Sequence, residues 1–117
     1  MKNTLYPEIK SIVSTEYDHG ALPENLENCE VSIDVEIGIK GQEGADIFYL
    51  TAITPSAISG SHEKKWGRGY LIIPLFSWKE VTTSLEKLLM HCSGEDWQEI
   101  STKLSKELLW EYDNYQP

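Results

Sequence analysis

Carboxylates are the most abundant reactive groups in this 117-residue chain, which carries nineteen Asp and Glu. Two are spaced for joint work. Asp34 and Glu36 sit two residues apart in an alternating run, which places them on one side of a strand about 7 Å apart at Cα. A hydrolase can use such a pair, one group as acid and the other as base or nucleophile. General-acid work also requires an apolar surround that raises one carboxyl, and the neighbouring sequence offers none. The same two residues fit an ordinary solvated strand face or an acidic binding surface.

No other reactive constellation competes with this pair. His19 and His62 lie in polar loops, and His91 precedes Cys92 at a helix end, where adjacent side chains point about 100° apart and do not share a metal. No Gly-x-Ser-x-Gly elbow, phosphate-binding Gly-x-x-x-x-Gly-Lys-Ser/Thr or His-Glu-x-x-His is present. Gly67-Arg68-Gly69 could meet a phosphate, but it reads better as a close-approach turn into a strand. Cys29 follows an acidic stretch that raises its thiol pKa, and Cys92 falls on an apolar helix stripe, so both read as inert, reduced thiols. The expectation is a protein without metal, cofactor or catalysis.

The distribution of charge favours binding. Ten Lys and Arg against nineteen acids leave a net charge of −9, which argues against a general nucleic-acid or anionic-membrane binder. Between residues 16 and 46 nine acids face one base, Lys40, so a local balance of −8 holds almost the whole net charge. Residues 61–79 are mildly basic through Lys64, Lys65, Arg68 and Lys79. A concentrated acidic face speeds encounter with a basic partner, whereas solubility needs only scattered charge. The expected contact set is Glu27, Glu30, Asp34, Glu36, Glu43 and Asp46, with Trp66, in a polar loop, as an exposed aromatic anchor.

The elements that must carry these residues follow from periodicity. Residues 8–14 read as a first strand. Residues 30–39 are the clearest strand, with Val31, Ile33, Val35, Ile37 and Ile39 on one face and Glu30, Ser32, Asp34, Glu36 and Gly38 on the other. Turn residues 40–44 join it to a strand at 46–54, making an antiparallel hairpin. Thr54-Pro55 starts a short helical turn, and residues 70–74 suit an inner strand. Ser77 with Glu80, and Ser93 with Asp96, open two helices as capping boxes, with Phe76/Val81 and Cys92/Trp97 as staples. The first helix buries Trp78, Val81, Leu85, Leu88 and Cys92, and the second Trp97, Ile100, Leu104 and Leu108. Residues 108–112 fit a last strand or a packed tail.

The fold class is therefore α+β: one domain spanning residues 1–117, with a mainly antiparallel sheet of four or five strands and two C-terminal helices on one face. Its size allows about two-thirds of the chain's surface to be buried. Two cysteines, no signal-peptide-like apolar run and no membrane-length segment predict a cytoplasmic protein.

Several strings together carry a resemblance: Thr54-Pro55, Gly67-Arg68-Gly69-Tyr70-Leu71-Ile72-Ile73, the run from Cys92 through Ser93-Gly94, Trp97 and Glu99 to Ile100, then Lys103-Leu104-Ser105 and Trp110-Glu111-Tyr112. The chain resembles the immunity protein 8 family of bacterial polymorphic toxin systems. That resemblance implies a non-enzymatic inhibitor that protects the producing cell by binding a cognate toxin. A nuclease is the expected toxin, because a basic nucleic-acid cleft accepts an acidic face. The alternatives are a small hydrolase built on Asp34 and Glu36, and a structural assembly subunit, which would expose a large apolar patch.

Overall fold

The computed structural model describes residues 4–14, 16–17, 21–59 and 68–112. The order of elements is β1 (Pro7–Ser14), β2 (Glu30–Ile39), β3 (Asp46–Ile53), α1 (Pro55–Ser59), β4 (Tyr70–Ile72), α2 (Trp78–Met90), α3 (Trp97–Leu104) and β5 (Leu109–Trp110). The five strands form one sheet in the order β1-β2-β3-β4, and β5 also pairs with β3. Every pairing is antiparallel except β3 with β4.

Alternation in β2 decides which face becomes the core. Val31, Ile33, Val35 and Ile37 are at most 1% exposed, and each contributes roughly 1.5–3 kcal/mol of burial. Phe48, Leu50 and Ala52 of β3 join them, and α2 and α3 cover the same face with Val81, Leu85, Leu89, Ile100 and Leu104. Both helices are held at their starts. Ser77 accepts the Glu80 backbone N–H, and Asp96 accepts that of Glu99.

Glycine shapes the β2–β3 hairpin in two ways. Gly41 and Gly44 take φ values of +82° and +93°, which suit glycine in the tight turn. Gly38 has ordinary φ, but a Cβ there would stand 2.2 Å from the Gly44 carbonyl oxygen. The turn folds back onto β2 at that point, and Lys10 closes it by donating to Gln42 O at 2.8 Å.

Three local expectations are corrected. The second long helix is capped by Asp96 instead of Ser93, because Gly94 is drawn into an extended bridge: Leu5 N–H donates to Gly94 O at 2.7 Å, and Gly94 N–H to Leu5 O at 3.0 Å. The stripe of α2 runs through Leu89, with Leu88 and Trp78 half-buried, and Leu108 is buried only after α3 has ended. Residues 70–74 do not make an inner strand: β4 is three residues long at the end of the sheet path, and Ile72 is 59% exposed. The short helix α1 starts at Pro55, as Thr54-Pro55 predicts, and the Thr54 hydroxyl accepts the Cys29 backbone N–H at 3.0 Å, tying the start of β2 to the end of β3.

Candidate partner-binding surface

The sheet face opposite the helices carries the β2 acids Glu30, Asp34 and Glu36. Register places Val13, Asp34, Tyr49 and Leu109 on one cross-strand rung. Asp34 lies opposite in alternation to the buried β2 residues, so its three rung partners share the outer face with it. Val13 is 54% exposed, Leu109 42% and Tyr49 38%. The next rung holds Ser11, Glu36 and Ile47, with Ser11 Oγ donating to Glu36 Oε1 at 2.8 Å. Beyond Asp34 in the other direction come Ser32, Thr51 and Tyr70, then Glu30, Ile53 and Ile72. A central apolar row is thus crossed by acids from β2.

This surround alters the reading of Asp34. No apolar flank was expected because Glu30, Ser32 and Glu36 are its neighbours on its own strand face, but pairing brings Val13 and Tyr49 to either side. Burial between them pushes the Asp34 carboxyl above the ordinary aspartate range. Sequence reasoning missed Val13, Tyr49 and Leu109 as part of this surface. The outward alternation of Tyr49 in β3 was visible, whereas its alignment with residues 36 and 60 positions away was not.

The remaining expected contact residues are dispersed. Glu30 is exposed at the start of β2, and Glu27 is exposed in the loop just before it, its backbone N–H donating to Asn25 Oδ1 at 3.0 Å. Glu43 is exposed in the β2–β3 turn. With about 3.3 Å of rise per residue, the ends of the ten-residue β2 lie about 30 Å apart, so Glu27 and Glu43 do not share one compact patch. Trp66 lies outside the described residues.

Asp46 stands on the helix side of the sheet. Its Oδ2 accepts the indole N–H of Trp97 at 2.7 Å and that of Trp110 at 3.0 Å. Phe48 lies between these rings, stacked on Trp110 and edge-on to Trp97, each at 6.2 Å between centroids. Tyr112 meets Trp110 edge-on at 5.4 Å. Glu111 extends the pairing of β5, donating its N–H to Ile47 O and accepting Ile47 N–H on Oε1, both at 2.9 Å. Glu99 accepts Glu95 N–H at 3.1 Å and packs so closely that a Cβ on Gly94 would lie 2.9 Å from its side chain. The tryptophans and acids of the C-terminal strings therefore close the tail onto β3.

The other candidate chemistry is sparse. Among the described residues no group of three or more His, Cys, Asp and Glu is arranged to hold a metal ion. Cys29 and Cys92 are free thiols, and burial raises the pKa of both, which disfavours the nucleophilic thiolate. Arg68 donates from Nε to Ser105 O at 2.8 Å just after α3, and Gly69 has φ +83° with no space for a Cβ beside Leu109. Among the described residues no helix is long and apolar enough to cross a membrane.

A family model described as immunity protein 8 matches residues 7–115. No curated protein and no solved structure matches the chain significantly.

Proposed function

The chain belongs to the immunity protein 8 family, and from that premise we propose that it binds and neutralises a cognate bacterial toxin through the acidic outer face of its sheet. A toxin is the protein partner that the family implies. The finer reading is inhibition by occlusion, without catalysis, in the cytoplasm of the producing cell. A toxin whose working surface is basic, such as a nuclease, is the best fit, because an acidic face gains encounter rate and specificity against it.

One observation carries this reading: Asp34 and Glu36 project together from the middle of the sheet, on the side that α2 and α3 leave uncovered. An open strand face suits contact with another protein better than it suits the enclosed site that a carboxylate pair needs for hydrolysis.

Co-purification tests it. The tagged chain is expressed with the product of the adjacent upstream gene, at low and at moderate salt. Retention of that protein's C-terminal domain, weakening with salt, is expected. Absence of any partner at either salt would leave the reading without support.

A further inference from the structure

We infer that the rung Val13–Asp34–Tyr49–Leu109 is the energetic centre of toxin binding, and that it receives a partner segment carrying a cation flanked by apolar side chains. This rests on the reading above and specifies what the toxin must present. The four residues come from β1, β2, β3 and β5, so the row crosses the full width of the paired sheet at this level. Three are apolar side chains exposed on hydrogen-bonded strands. Anchors of this kind lose little side-chain entropy on contact, and they dominate interface energy when surrounding groups exclude water.

Charge decides the occupant. The row has a carboxylate at its centre and Glu36 on the next rung. A second copy of the chain docked face to face would bring these acids against their own equivalents, in a protein of net charge −9. An anionic lipid surface meets the same repulsion. Lys10, in the neighbouring strand β1, is committed to Glu8 Oε2 and Gln42 O, each at 2.8 Å. A Lys or Arg brought by the partner answers Asp34, and apolar groups beside it cover Val13, Tyr49 and Leu109.

The experiment measures binding of the chain to the C-terminal domain of the upstream gene product by surface plasmon resonance across a salt series. Tyr49→Ala and Val13→Ser should each raise the dissociation rate roughly tenfold or more while leaving the salt dependence of association intact. Met90→Ala, equally apolar and exposed at the end of α2, should change neither. Thermal unfolding of each variant establishes that the fold is kept. Unchanged dissociation for both Tyr49→Ala and Val13→Ser, with the parent binding normally, overturns the inference and leaves the proposed function standing. No binding by the parent overturns both. A dimer of this chain in sedimentation that Tyr49→Ala dissolves would give the face to a second copy and also overturn the inference.

Discussion

Asp46 accepts the indole N–H of Trp97 at 2.7 Å across 51 positions of sequence, fastening the first residue of β3 to the first residue of α3. The same oxygen accepts Trp110, so one carboxylate joins the hairpin, the last helix and the C-terminal strand.

Asp46→Ala leaves both indole donors without an acceptor and should cost about 2–3 kcal/mol. Asp46→Asn, which keeps an oxygen, should cost clearly less. Urea unfolding followed by tryptophan fluorescence measures both. Equal stability of Asp46→Ala and the parent would show that the two indoles find water or other acceptors.

Gly38→Ala and Gly41→Ala separate two roles of glycine. At Gly38 the new methyl meets the Gly44 carbonyl at 2.2 Å, so the turn must move, at a cost of roughly 1–3 kcal/mol. At Gly41 there is open space and only the positive φ to oppose the change, so about 1 kcal/mol is expected. Thermal denaturation of the two variants should rank Gly38→Ala as the more damaging.

Asp34→Asn should stabilise the fold at neutral pH. The folded carboxyl sits above its ordinary value, so as pH rises the unfolded chain releases this proton first, and the ionised group penalises the folded state. The penalty is absent below about pH 3.9, the ordinary aspartate value, and complete above the raised one. The stability gap between Asp34→Asn and the parent should therefore open as pH rises and then level off. A gap that closes with rising pH contradicts the assignment. A stability cost at this position is what the proposed binding role would account for.

Asp34→Lys with Glu36→Lys should slow toxin association and abolish protection while circular dichroism stays unchanged. The loss should be greatest at low salt, where steering is strongest. Full protection by the doubly reversed chain would remove the acidic face from the mechanism.

Local chemistry made much of the fold legible. Strict alternation fixed β2 to the residue, because a period of two with one face apolar has a single stable arrangement. Ser77 and Glu80 marked the start of α2 through a bond that spans three residues. The start of α3 escaped that logic, since Ser93 and Asp96 are equally good caps, and the distant pairing of Leu5 with Gly94 chose between them.

The sequence alone determined β2, the start of α2, the buried face and the acids that alternate away from it, all of which depend on neighbours within a few positions. It also carried the family strings. Tertiary structure decided the rest, because cross-strand register is set by the whole sheet and not by any one strand. Register put Val13, Tyr49 and Leu109 around Asp34, creating a partly apolar surface from segments that look unrelated in sequence. It also turned Asp46 inward to Trp97 and Trp110, where its charge serves the fold, while Asp34, from the same acidic stretch, faces outward.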